Sequence, residues 1–120
     1  MGVIAVIFLL FACSNMQEEK LVGKWQASAL LEDDMPIPVS PAEVGFEFFN
    51  NGYYHYRSTL NYREAGTFSV NGNLLLTLDT VNEASTEKSV QILELTPDSL
   101  FLKMNAEGKI QVVKLFRLPQ

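Results

Sequence analysis

FEFFNNGYYHYR, residues 46–57, is the stretch whose reading decides the fold. Two aromatic-rich runs flank Asn50-Asn51-Gly52, and such runs around a short glycine-containing link read as a β-hairpin. The length of the turn decides which side chains share a face. A two-residue Asn51-Gly52 turn pairs Phe48 with His55 and Phe46 with Arg57, leaving the core face half charged. A three-residue loop pairs Phe48 with Tyr54 and Phe46 with Tyr56. It leaves Glu47, His55 and Arg57 on the opposite face. Gly52 then takes the left-handed position of a type I turn plus bulge. Register follows the face that must be buried, so the three-residue loop is expected.

The same rule applies to two further sites. Val70-Asn71-Gly72 as a loop pairs Phe68 with Leu74 and Gly66 with Leu76. Ala106-Glu107-Gly108 pairs Met104 with Ile110 and Leu102 with Val112. Short runs of β-branched, aliphatic and aromatic residues recur at a spacing of about ten residues, and no long stretch has helical periodicity. Eight strands are expected, near 22–31, 43–49, 53–60, 64–69, 73–80, 87–95, 99–105 and 109–118. Short links make them a consecutive antiparallel meander, so the fold class is all-β, a sandwich or a barrel.

Two stretches fit this scheme poorly. EDDMPIPVSPA, residues 32–42, holds three prolines and three acids, which excludes a central strand. It reads as a stiff, exposed connection of a length that is more often functional than the usual short link. In the last strand, an inward Ile110, Val112 and Phe116 brings Lys114 inward as well. That register leaves Val113 and Leu115 as an outer apolar patch, so either the strand bends or its outer face is partly covered.

The 120 residues suffice for one small domain. Net charge is −5, with no basic run, so nucleic acid is not an expected partner. One Cys, Cys13, and one His, His55, exclude an internal disulfide, a CxxC pair and any site built from several Cys or His ligands. No metal and no cofactor is expected.

Val3–Ala12 is uninterrupted apolar sequence. It falls short of the roughly 20 residues a membrane-spanning helix needs and suits the apolar region of a secretory leader. Leu10-Phe11-Ala12-Cys13 resembles the bacterial lipobox, in which a Leu precedes a small residue and the modified Cys. The resemblance implies a leader over 1–12, a lipidated Cys13, a polar tether over 13–20 and a globular domain over 21–120. A buried apolar strand, or a cleaved leader with an incidental Cys, are the alternatives. Gln17-Glu18-Glu19 resembles acidic tethers that send some bacterial lipoproteins to the cell surface; a solvated linker is the other reading.

Gly23-Lys24-Trp25 opens the first strand and resembles the Gly-x-Trp motif that opens lipocalin barrels. There the Trp plugs one end and an Arg near the end of the last strand lies across it. Arg117, in KLFRL, stands where that partner is expected. Over residues 20–118 the chain resembles the short lipocalin-like lipoproteins of double-membrane bacteria. That resemblance implies an eight-stranded antiparallel up-and-down barrel closed by Gly23, Trp25 and Arg117, and an anchor in the outer membrane, on its periplasmic side or at the surface.

Chemistry-bearing constellations are few. Glu47, His55 and Arg57 share a face, but that face points to solvent, so no catalytic residue is expected. Glu32-Asp33-Asp34 lacks the spaced ligands of a calcium loop and reads as solvated. Phe46, Phe48, Tyr54, Tyr56, Phe68 and Met104 form an apolar set with two hydroxyls, the composition of a small-molecule site. The same six are also what a small barrel needs as its core. Two functions follow: binding of a small apolar or aromatic molecule at the open end, or a filled barrel that contacts an envelope protein through its outer face.

Overall fold

Asn50-Asn51-Gly52 folds as a three-residue link. The computed structural model describes residues 17–82, 87–106 and 108–119. Strands β3 (Gly45–Phe48) and β4 (Tyr53–Arg57) pair Phe46 with Tyr56, Glu47 with His55 and Phe48 with Tyr54. Gly52 has φ +89°, a conformation that carries little penalty without a Cβ. The leader and Cys13 lie outside the described residues.

Six longer strands complete the wall: β1 (Gly23–Glu32), β5 (Arg63–Asn71), β6 (Leu74–Asp79), β7 (Glu87–Leu95), β8 (Ser99–Ala106) and β9 (Lys109–Arg117). They pair antiparallel in the order β1-β3-β4-β5-β6-β7-β8-β9, and β9 returns to pair with β1. The result is the expected closed eight-stranded barrel. Two bulges keep its inner face apolar. One at Ala27/Ala29 switches the buried positions of β1 from Gly23, Trp25 and Ala27 to Leu30. The other, at Ile92/Glu94, turns Leu93 outward and Leu95 toward the core. Trp25, Phe48, Tyr54, Leu75, Leu102 and Leu115 are each under 2% exposed. Burying a side chain of this size contributes about 1.5–3 kcal/mol.

The other two hairpins take a different register from the expected one. Asn71 pairs with Leu74 and Phe68 with Thr77, so the link is two residues, Gly72 and Asn73. The inner face of β6 is therefore Leu75, Thr77 and Asp79, while Leu74 and Leu78 face out. An apolar count disfavours this arrangement. The two polar side chains it buries have partners: Thr77 meets the Tyr54 hydroxyl of β4, and Asp79 accepts from Val81 and Asn82 in the link after β6. In the last hairpin Ala106 pairs with Lys109, Met104 with Gln111 and Leu102 with Val113. This one-residue slip exchanges the two faces of β9. Val113 and Leu115, expected outside, are in the core; Ile110 and Phe116 are exposed. The slip also turns Lys114 outward, with its Nζ 5.2 Å from the Phe101 ring centroid, and so removes the buried charge the other register required.

Two stretches expected to be irregular are ordered against the wall. Residues 17–21, most of them assigned to the tether, form a helical turn; Leu21 is fully buried and the Val70 N–H donates to Glu18 Oε2 at 3.1 Å. Residues 32–42 double back along β1. The two-residue strand β2 (Met35–Pro36) pairs with Leu31 and Glu32, and a 3-10 turn follows at Pro41–Glu43. Gln26 Nε2 donates to the carbonyls of Pro41 (2.8 Å) and Val44 (3.0 Å), and Arg57 Nη1 to that of Ala42 (3.0 Å).

Gly66 marks the tightest point of the wall. A Cβ built there lies 1.8 Å from the Leu78 carbonyl oxygen, a backbone atom that cannot swing aside. Gly66→Ala is expected to lower unfolding free energy by about 2–3 kcal/mol, as overpacking does. Urea denaturation measures this, and a near-neutral result contradicts the close approach of β5 and β6.

Candidate functional site

The two ends of the barrel are built from different chemistry. At the end bearing the Asn50–Gly52, Gly72–Asn73 and Thr96–Asp98 links, Trp25 fills the bore at 1% exposure. Its indole N–H donates to the Leu21 carbonyl at 2.8 Å. Arg117 pairs with Trp25 across β1 and β9, and its guanidinium carbon lies 4.2 Å from a ring centroid of the indole. Its nitrogens donate to the carbonyls of Lys20 (2.7 Å), Val22 (2.6 Å) and Pro97 (2.6 Å). Gly23, fully buried, pairs with Phe48 beside them. Gly23, Trp25 and Arg117 thus come together at one end, and the helical turn at 17–21 lies over it.

The opposite end receives the exits of β1, β4, β6 and β8. The six residues of the apolar set divide here. Phe48, Tyr54 and Phe68 are buried in the core; Phe46, Tyr56 and Met104 are partly exposed and pack against it. The rings form a continuous series. Phe46 stacks on Phe48 at 5.3 Å and meets Tyr56 at 4.6 Å, Phe48 meets Phe68 edge-on at 4.9 Å, and Tyr56 meets Tyr62 edge-on at 6.2 Å. Tyr62 follows a turn in which Leu60 and Asn61 both have positive φ, +57° and +62°, and Leu60 is 97% exposed.

Beside this series sits a polar cluster. Glu64 is 6% exposed, and its carboxylate accepts from Tyr54 Oη at 2.9 Å, Tyr62 Oη at 2.7 Å and Lys88 Nζ at 2.5 Å. Thr77 and Asp79 are buried next to it. Asp79 Oδ1 accepts from the Val81 N–H at 3.0 Å, and Oδ2 from the Asn82 amide at 2.5 Å. Four groups here titrate away from their ordinary range. Burial, then the hydrogen bond to Glu64, pushes the Tyr54 phenol strongly up. The Glu64 hydrogen bond, then burial, raises Tyr62. The Glu64 hydrogen bond raises Lys88 against its partial burial. Burial would raise Asp79, but the Asn82 amide and nearby backbone N–H groups outweigh it and lower that carboxyl.

Sequence reasoning missed Glu64, Thr77, Asp79 and Lys88. The signal for Glu64 was available: alternation along β5 that turns Gly66 and Phe68 inward turns Glu64 inward too. Thr77, Asp79 and Lys88 were hidden by the misjudged register of β6. Glu47, His55 and Arg57 lie on the outer face. His55 packs edge-on against Phe49 at 5.0 Å, while Arg57 Nη2 is drawn away to Gln26 Oε1 at 2.6 Å. Among the described residues, no three His, Cys, Asp or Glu side chains are placed to hold a metal ion. Glu32 instead accepts from Gln111 at 3.0 Å, and Asp33 Oδ1 from the Ile110 N–H at 3.1 Å.

The pH dependence of stability follows from the cluster. Tyr54, Tyr62 and Lys88 all have folded pKa values above their unfolded ones. Their contribution is complete below about pH 10 and is lost as pH rises past the unfolded values toward the folded ones. Thermal unfolding is therefore expected to show a plateau near neutrality and a falling midpoint above about pH 10. Tyr54→Phe is expected to cost about 1–3 kcal/mol at neutral pH, by removing a donor to a buried carboxylate, and to make the alkaline fall shallower. An unchanged alkaline slope contradicts the assigned role of Tyr54.

Comparison with known proteins agrees with this geometry. A family model described as a lipocalin-like domain matches residues 21–102, from the buried Leu21 to the middle of β8. A lipocalin-like protein from Bacteroides uniformis ATCC 8492 has a similar structure, with a TM-score of 0.63 and 18% identity over 82% of this chain and 99% of that one. An uncharacterized protein from Bacteroides eggerthii DSM 20697 is similar at a TM-score of 0.56 and 16% identity, over the same shares of the two chains. No curated protein matches the sequence. The fold is thus shared with solved structures, and the chain belongs to the lipocalin-like domain family.

Proposed function

We propose that this protein is a non-catalytic binding protein of the bacterial cell envelope. Cys13 carries a lipid that anchors it to the outer membrane, and the open end of the barrel takes one small apolar or aromatic molecule. The observation that supports the binding role is the contrast between the ends. Trp25, Leu21 and Arg117 seal one, whereas Phe46, Tyr56 and Met104 remain partly exposed toward the other, beside Glu64 and Lys88. Apolar surface with a few convergent polar groups is the usual make-up of a small-molecule site. Eight strands leave a bore that side chains nearly fill. Phe48, Tyr54 and Phe68 occupy its depth, so the ligand seats shallowly on Phe46, Tyr56 and Tyr62. The Lys88 ammonium and the tyrosine hydroxyls act as its polar handles. The sealed end also carries the start of the domain, so an anchor at Cys13 leaves the open end facing away from the lipid.

The filled depth of the bore favours one other reading, a module that contacts an envelope protein. Two measurements separate the readings. Anilinonaphthalene sulfonate fluorescence is expected to rise saturably with the folded protein and to lose most of that rise in Met104→Lys. Native mass spectrometry of protein from its own host is expected to reveal a retained small molecule. Absence of both results removes the ligand role and leaves the partner. The anchor is tested separately: Cys13→Ser is expected to move the protein from the membrane to the soluble fraction, and unchanged retention refutes lipidation.

A further inference from the structure

A second feature lies on the outer face of the wall, where it adjoins Phe46 and Tyr56 of the ligand seat. The strands β1, β3, β4 and β5 present Lys24, Glu47, His55 and Ala65 as successive cross-strand neighbours on the outer face. A groove of about 620 Å³ runs over this face, bordered also by Gly45, Arg57 and Arg63 and, from the barrel's inner set, by Phe46, Tyr56 and Glu64. That volume is within the range of small-molecule sites.

The charges in the groove are unusual for an acidic chain. Arg57 and Arg63 are direct cross-strand partners on one face. Cβ atoms of such partners are about 4.5–5.5 Å apart, and like charges there repel. Among the described residues, neither guanidinium, nor the Lys24 ammonium, forms an ion pair with a carboxylate; Glu64, at the border, is paired with Lys88 on the other side of the wall. Arg57 is also held in place. Its Nη1 donates to the Ala42 carbonyl at 3.0 Å and its Nη2 to Gln26 Oε1 at 2.6 Å, both neutral acceptors that fix the group without cancelling its charge. The guanidinium passes over Gly45, where a Cβ would stand 2.8 Å from Nη2.

We propose that this groove is a binding site for a small organic anion. Its carboxylate or phosphate bridges Arg57 and Arg63, and its body lies along the sheet over Ala65, with Lys24 facing it. An oxyanion bound between the two arginines converts their repulsion into two charge-assisted, fork-shaped contacts.

The test is an amide NMR titration with benzoate and with phenyl phosphate at constant ionic strength, with sodium chloride as the control. Saturable shifts are expected at Gly45, Arg57, Arg63 and Ala65. Arg63→Gln is expected to weaken binding about tenfold or more. Because that substitution removes the repulsion, it is also expected to leave the anion-free protein at least as stable as the parent. Binding of phenyl phosphate alone assigns a phosphoryl head group, and binding of benzoate a carboxylate; either supports the site. Shifts matched by chloride, shifts confined to Tyr62 and Lys88, or unchanged affinity in Arg63→Gln overturn it.

Discussion

The stacking of Arg117 on Trp25 is the contact on which the rest of the molecule depends. It caps the ladder that joins the first and last strands, from Trp25–Arg117 to Glu32–Gln111, and without that ladder the sheet has two open edges. The pair also gathers the chain around itself. Arg117 reaches the carbonyls of Lys20, Val22 and Pro97, so one side chain ties the segment before β1, β9 itself and the β7–β8 link into one closure. An Arg over an indole face contributes about 0.5–2 kcal/mol. The β1–β9 ladder that it caps has a topological consequence: a closed wall leaves no edge to template aggregation and fixes an inside and an outside for the strands.

That inside is not uniformly apolar, and the exception is concentrated at one end. A buried carboxylate is tolerated only when its lone pairs are satisfied. Glu64 meets this condition with two tyrosine hydroxyls and one ammonium, and Asp79 meets it with the residues that follow it. The cluster explains why β6 turns Leu74 and Leu78 to solvent. Its local polar bonds and the two-residue link outweigh the apolar surface lost. Specificity of register, more than raw burial, is what these side chains supply.

The strands and their order were legible in the sequence because the signals involved are local. Alternation around Asn50-Asn51-Gly52 selects one loop length, since the competing register buries Arg57. Gly23-Lys24-Trp25 and Arg117 were legible as a pair only through their resemblance to the opening motif and terminal Arg of lipocalin barrels. The other two hairpins were misread because glycine placement alone does not separate two-residue from three-residue links. For β9 the warning was present, in the inward Lys114 that the chosen register demanded. For β6 no such warning existed, because Thr77 and Asp79 are satisfied by partners distant in sequence or outside the strand. The interplay of Gln26, Arg57 and the proline-rich link was likewise invisible, since it joins segments that only the closed barrel brings together.

The central claim is that Trp25 seals the bore, and it is the only Trp in the chain, so its indole N–H gives a single resonance to follow. Hydrogen exchange of that proton is the most direct measurement. A sealed, hydrogen-bonded indole exchanges only through global unfolding, so its protection equals the full unfolding free energy and falls in step with it when denaturant is added. Exchange orders of magnitude faster than global unfolding would show an indole open to water, and with it a barrel that this contact does not close.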